Sequence, residues 1–182
     1  KFFNNFKIHT QYSICEGAIK IDDLANYCKE NKIPNIGICD SYNLCGALEF
    51  AEKVSKSGTQ PIIGTQINFS LDNSIGKLPL FAKSSLGYKN LINLSSKSYL
   101  DSDEKTDPHC KMSEFKNIND GLILLSGNHH GIFGKLFKLN KLKQIEEAVK
   151  ELKNIFKDSF YLEIQRHNEI GEENYENFII KL

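Results

Sequence analysis

The side chains able to do chemistry are gathered by position. Lys7 and His9, Asp40-Ser41, Gln66, Asn128 and the run from Gln165 to His167 each fall at the end of a segment that reads as a β-strand. In a parallel α/β barrel the C-terminal strand ends form the active site. These residues are therefore the candidates: imidazole and carboxylate for proton transfer or ligation, ammonium for charge neutralisation, amides for orientation. Lys7 and His9 are two apart and share one face of their strand. With Phe6 and Ile8 packed outward on helices, both would point into the barrel mouth.

Other reactive residues have plainer readings. His129-His130 lies in a loop beside Gly131, where adjacent side chains do not naturally converge, so no metal role is expected there. His109-Cys110 falls in a polar stretch and is expected to face solvent. Arg166, the only arginine, is expected to brace a loop through its planar fork of donors. Ser126-Gly127-Asn128 could offer N–H groups to a phosphate, but a plain strand-to-helix turn explains it equally well. Neither Cys39 nor Cys45 has an adjacent histidine, and both are expected to be small buried apolar groups.

The elements that must position these groups alternate between strand and helix. Strands are predicted over residues 6–10, 35–40, 61–71, 78–83, 121–126 and 160–165, and helices over 21–32, 46–57, 85–100 and 142–157. The first helix opens on Asp22-Asp23, suited to its N-terminal dipole, and stops before Pro34. The second is closed by Gly58. Leu142, Ile145, Val149, Leu152 and Phe156 recur at helical spacing. The run from Leu122 to Leu125 reads as a strand covered on both faces. Residues 101–111 read as a polar surface loop. Repeated β-then-α order implies a largely parallel α/β sheet or barrel.

Composition narrows the function. The 182 residues carry 23 basic and 23 acidic side chains, a net charge of zero. A free-standing nucleic-acid binder would carry a basic surplus, so any contact with DNA is expected only within something larger. The five cysteines form no C-x-x-C pair, against a disulfide framework or zinc ribbon and for a reducing, cytoplasmic setting. No membrane span or signal peptide is visible. The chain reads as a single domain, 1–182. It opens at Lys1 into Phe2-Phe3 and ends on the apolar run from Asn177 to Leu182, which is read as a domain incomplete at its C-terminus.

Six blocks in order carry a family resemblance. They are Lys7-Ile-His-Thr-Gln-Tyr-Ser-Ile-Cys-Glu-Gly17, Gly37-Ile-Cys-Asp-Ser-Tyr-Asn-Leu-Cys-Gly-Ala-Leu-Glu-Phe50 and Pro61-Ile-Ile-Gly-Thr-Gln66. Gly87-Tyr-Lys-Asn-Leu91 with Leu94-Ser-Ser96, Gly121-Leu-Ile-Leu-Leu-Ser-Gly127 and Tyr161-Leu-Glu-Ile-Gln-Arg-His167 follow. Together they resemble the N-terminal PHP (polymerase and histidinol phosphatase) domains of bacterial replicative DNA polymerase III alpha subunits. The resemblance implies a distorted parallel (β/α) barrel of the PHP type, here truncated before its last strands.

In active members of that family, histidines, carboxylates and a cysteine hold a cluster of metal ions that hydrolyses phosphoesters. Carried over position by position, His9, Glu16 and Asp40 keep ligand-type side chains. Lys7 and Ser41 replace histidines, Gln66 replaces a glutamate, Asn128 replaces the cysteine, and Lys77 stands where a further histidine would be. Ammonium and amide groups are poor ligands for a hard dication, so no metal and no catalytic residue are expected in this portion. Lys7 is expected to assume the metal's charge role, balancing Asp40 or Glu16 across the mouth.

The resemblance further implies a polymerase whose palm, with its Mg2+ ions, lies outside this sequence, and whose proofreading is done by a separate exonuclease subunit docked at this domain. The alternative is a working metal-dependent phosphoesterase or 3′–5′ exonuclease. A free-standing binding module unrelated to replication is the third class.

Overall fold

The computed structural model describes residues 4–103 and 105–182; the expected apolar opening at Phe2-Phe3 lies outside them. The helices are α1 (Ile21–Glu30), α2 (Ala47–Lys56), α3 (Ser85–Leu100), α4 (Ile132–Lys138), α5 (Leu142–Phe156) and α6 (Glu172–Ile179). The strands are β1 (Asn35–Ser41), β2 (Gln60–Leu71), β3 (Ser74–Ala82), β4 (Cys110–Lys111), β5 (Leu122–Leu125) and β6 (Phe160–Tyr161). They form one sheet in the order β1-β2-β3-β5-β6, with β4 paired to β2 beyond the end of β1.

The pairs β1–β2, β2–β4 and β5–β6 are parallel, while β3 runs antiparallel to both β2 and β5. The sheet is thus mostly parallel but contains one hairpin, which the β-then-α reading did not anticipate. Its cause is local. Asp72 and Asn73 both take positive φ, 47° and 60°, between the paired residues Leu71 and Ser74. A two-residue turn of that shape matches strand twist, and Asp and Asn tolerate it better than most side chains.

Residues 6–10 do not form a regular strand. The segment runs beside β1 through scattered contacts: Gly37 N–H donates to Asn5 O at 2.8 Å, Cys39 N–H to Ile8 O at 2.8 Å, and Ile8 bridges Ile38 in parallel. Ile8 packs against the α1–α2 core, whereas Phe6 stays 42% exposed, its ring edge-on to Phe81 at 6.4 Å. The strand expected over 160–165 shrinks to Phe160–Tyr161, because the Glu163 N–H turns away to the Ser126 hydroxyl at 2.9 Å.

Two apolar cores flank the sheet. One joins Ile36 and Ile38 of β1 to Ile21, Leu24 and Cys28 of α1 and to Phe50 and Val54 of α2. The larger joins β2, β3 and β5 to α3, α4 and α5, with Phe69 stacked on Phe115 at 4.4 Å and Phe156 edge-on to Phe115 at 5.1 Å. Each such side chain contributes roughly 1.5–3 kcal/mol by leaving water, so the sheet that carries the strand ends is the stable part of the molecule. Cys110, expected in solvent, is buried as a neighbour of this core, and burial pushes its thiol up to about 12. Cys39 is buried as expected, whereas Cys45 is exposed. Arg166 braces α6 through Glu176, as its donor fork suggested.

Candidate functional site

The strand ends converge as the residue types suggested. Lys7, His9, Gln66, Lys77, Asn128 and Gln165 line one open cleft of about 430 Å3. Asp40, Ser41 and Glu16 lie beside it, tied in by hydrogen bonds.

Asp40, at the end of β1, is 1% exposed, and both carboxylate oxygens are committed to protein donors. Thr10 N–H donates to Oδ1 at 2.6 Å, Ser13 Oγ donates to the same oxygen at 2.6 Å, and Thr10 Oγ1 donates to Oδ2 at 2.7 Å. The carboxylate therefore pins the turn that follows His9. Gly17 closes this loop because its Cα lies against Thr10; a Cβ there would sit 2.1 Å from the Thr10 carbonyl oxygen.

His9 is held at both ring nitrogens. Its Nδ1 lies 3.3 Å from Ser13 Oγ, and its Nε2 lies 3.1 Å from Gln66 Nε2. The Gln66 amide donates to Nε2, so Nδ1 carries the proton and hands it toward Ser13, whose own hydroxyl donates to Asp40. Burial pushes the imidazole below its ordinary value of 6.5, with the Glu16 carboxylate opposing and the Lys7 ammonium assisting.

The two lysines meet carboxylates. Lys7 Nζ donates to the Glu163 oxygens at 3.1 and 3.3 Å, with side-chain exposures of 14% and 11%. Lys77 Nζ donates to Glu16, reaches Ser41 Oγ at 3.2 Å and lies 4.8 Å above the Tyr42 ring. The Ser41 hydroxyl donates to Glu16 at 2.5 Å. Burial opposes ionisation of Glu16, but the hydrogen bonds from Lys77 and Ser41 outweigh it and hold the carboxyl below 4.5. Lys7 thus balances neither Asp40 nor Glu16. Its partner is Glu163, and Lys77 takes Glu16.

Glu163 escaped the sequence reading although it stood within a quoted block. Its signal was a lone charge alternating with Leu162 and Ile164 at the end of an apolar segment. It also fixes the shape of the site. Lys7 flanks β1 at one edge of the sheet, and Glu163 follows β6 at the other. Their ion pair spans the two edges, so the sheet is curled like part of a barrel. Gln165 donates to Glu163 at 2.6 Å and Asn128 donates to Gln165 at 2.6 Å, extending the network along that edge.

The residues present do not fit the cluster of cations that the resemblance implies. Two ammonium groups stand in the mouth, both Asp40 oxygens accept protein hydrogens, and the His9 Nε2 lone pair accepts from an amide. A cation entering here would meet positive charge and occupied lone pairs. The Ser126-Gly127-Asn128 segment is a strand-to-helix turn in which Gly127 takes φ 74°.

His9 and Glu16 contribute to the pH dependence of stability in the same direction. Both bind protons more readily in the unfolded chain than in the folded one, so acid favours unfolding. The His9 contribution is complete above pH 6.5 and declines as pH falls from there toward its lowered folded value. The Glu16 contribution is present above 4.5 and is lost as pH falls through its own lowered value. Urea midpoints measured between about pH 7 and 3 should fall toward acid in these two stages. H9Q should reduce the upper stage, to which His129, also lowered by burial, still contributes, and leave the lower one.

His129 and His130, expected to diverge, converge instead. Their ring centroids lie 4.1 Å apart and both face Glu169.

Comparison with known proteins adds the following. A family model described as PHP domain matches residues 5–167. The DNA polymerase III subunit alpha of Caulobacter vibrioides is 38% identical over 176 residues, covering 91% of this chain and 15% of that protein. The corresponding subunit of Rickettsia bellii is 34% identical over 181 residues, covering 99% and 15%. That of Buchnera aphidicola is 36% identical over 188 residues, covering 99% and 16%. The chain therefore spans about 15% of the length of these curated relatives. A crystal structure described as a metal-dependent phosphoesterase from Bifidobacterium adolescentis superposes with a TM-score of 0.59 at 11% identity, covering 98% of this chain and 82% of that one, which shows a shared fold.

Proposed function

Because the chain belongs to the PHP domain family, we propose that it is the PHP domain of a DNA polymerase III alpha subunit whose hydrolytic site has been converted into a structural one. The parent protein would extend DNA from deoxynucleoside triphosphates, using catalytic aspartates and Mg2+ in a palm domain of its own. This domain would support that palm and dock a separate proofreading exonuclease subunit, meeting DNA only through the whole polymerase. The chain's likeness to alpha subunits over nearly all of its length supports this assignment. Among the described residues no helix is long and apolar enough to cross a membrane.

One observation carries the structural reading: Lys7 and Lys77 fill the mouth with ammonium groups already neutralised by Glu163 and Glu16. Fixed charges do here what bound cations do in a hydrolase, which is to neutralise the carboxylates of the mouth. Unlike a metal, an ammonium cannot lower the pKa of a coordinated water. The mouth is a tie between strands.

The test is hydrolysis of p-nitrophenyl phosphate and of a 3′-labelled single strand by the full chain with Mg2+, Mn2+ or Zn2+. No turnover above buffer background is expected. Metal-dependent turnover that disappears in H9A would replace the structural reading with a phosphoesterase or exonuclease. For the docking role, the exonuclease subunit should co-elute with the whole alpha subunit and be lost when this domain is deleted.

A further inference from the structure

At the rim of the lysine-filled mouth, where His130 lines the same cleft, one cluster of ligand-type side chains among the described residues has no assigned role. His129, His130 and Glu169 each place one donor atom within 4.8 Å of the other two. We propose that these three residues bind a single divalent transition-metal ion of the zinc class, which ties the turn after β5 to the loop after β6. The site adjoins the cleft through His130 but uses neither lysine nor their carboxylate partners, so it does not rest on the structural reading of that network.

The distances already approach those of a bound ion. A tetrahedral Zn2+ at about 2.0–2.1 Å from each donor separates the donors by roughly 3.3 Å. His129 Nε2 lies 3.6 Å from Glu169 Oε2, and His130 Nε2 lies 2.7 Å from the same oxygen. The second separation must widen by about 0.6 Å and the first shorten by about 0.3 Å as the ion replaces the shared proton.

The unpartnered imidazole points the same way. The His129 side chain is 6% exposed, and its ring makes no hydrogen bond among the described residues. At 3.6 Å its Nε2 is aimed at a carboxylate oxygen that it does not reach. A cation placed between the two atoms would bind both.

The supporting shell is in place. The buried Glu172 carboxylate accepts from the backbone N–H groups of His167 at 2.8 Å and Asn168 at 2.9 Å, which fixes the loop that presents Glu169. The His130 N–H donates to Asn128 Oδ1 at 3.0 Å. Gly134 packs against the His129 backbone so closely that a Cβ would lie 2.0 Å from the carbonyl oxygen. Ligands held in this way lose little freedom on binding.

The donor set selects the ion. Two imidazoles and one carboxylate suit Zn2+, Co2+ or Ni2+ over Mg2+ or Ca2+, which prefer all-oxygen shells. Three protein ligands leave a fourth position to water.

The 182-residue chain, expressed without a polyhistidine tag and stripped with chelator, should be titrated with Co2+ while its visible d–d bands are recorded, then competed with Zn2+. One equivalent should bind, and saturating Zn2+ should raise the melting temperature. His129 is buried and its removal could unfold the chain, so the exposed ligands carry the test. H130A and E169Q should each weaken binding at least tenfold, whereas H9A and H109A should not. No cobalt band and no thermal shift at millimolar metal would overturn the proposal. So would an affinity that falls in H9A and not in H130A, which would place the ion in the mouth and count against the structural reading as well.

Discussion

Removing the Lys7 ammonium should destabilise the fold by about 3 kcal/mol, the usual cost of leaving a largely buried carboxylate without its counter-charge. For a chain of this size that corresponds to a fall in melting temperature of roughly 6–12 °C. The Glu163 carboxylate is 11% exposed, and without Lys7 it keeps, among the described residues, only the neutral Gln165 amide at 2.6 Å. K7A should show the full loss by urea denaturation, and E163A a comparable one, since it strands the ammonium instead. The informative variant is the double substitution K7M/E163L. It removes both charges and fills their volume, and should recover most of the lost stability, because a buried ion pair is worth little more than apolar residues of like shape. A double loss equal to the sum of the single losses would mean that the two groups do not act on each other.

That expectation gains weight from where the pair sits. The described strands do not close into a barrel; the sheet has β1 at one edge and β6 at the other. Packing of α1 and α2 beneath β1, and of α5 beneath β5 and β6, does not hold those edges together across the mouth. The Lys7–Glu163 pair is a direct link between them. Its loss should therefore loosen the mouth more than the cores, and amide exchange should rise first along residues 5–10 and 161–167.

The sequence disclosed which groups would meet, and much less of how they would pair. Strand-end logic named Lys7, His9, Gln66 and Asn128, and they meet in one cleft by different routes. Asn128 follows β5, Gln66 lies within β2 opposite Ser41 at the end of β1, and Lys7 and His9 sit on the segment beside β1. Partner choice was hidden. Lys7 and Glu163 are 156 positions apart, and only the curl of the finished sheet decides that Glu163 lies nearer than Asp40 or Glu16. The helices over 85–100 and 142–157 were legible from apolar spacing and match α3 and α5 closely. The hairpin was not, since the β-then-α order elsewhere in the chain was extended to two consecutive strands, although the short Asp72-Asn73 connection between them permits only an antiparallel pair. His129 and His130 converge because Glu169 approaches from a loop whose path depends on Glu172, a contact that no local pattern reveals.

Asp40 offers the sharpest separation between a carboxylate kept for a cation and one kept for structure. Carboxylates that wait for a metal repel their neighbours in its absence, so neutralising them commonly stabilises the empty protein at the expense of function. Asp40 is arranged the other way. Three donors on Thr10 and Ser13, both fully buried, converge on its two oxygens. D40A should cost about 4 kcal/mol: hydrogen bonds to a charged acceptor contribute roughly 1.5–3 kcal/mol each, less than additively, and the orphaned donors cannot reach water. D40N should cost only about 1–2 kcal/mol. Its amide oxygen can still accept from Thr10 N–H and Ser13, and its NH2 can donate to Thr10 Oγ1 once that hydroxyl turns to accept. Both variants are measured by urea denaturation in chelator, where no cation contributes. Destabilisation in the order D40A then D40N means that the second motif survives as a clamp on the turn after His9. A D40N protein more stable than the parent in chelator would mean instead that this carboxylate is held ready for a cation, and the structural account of the mouth would fail at its most buried residue.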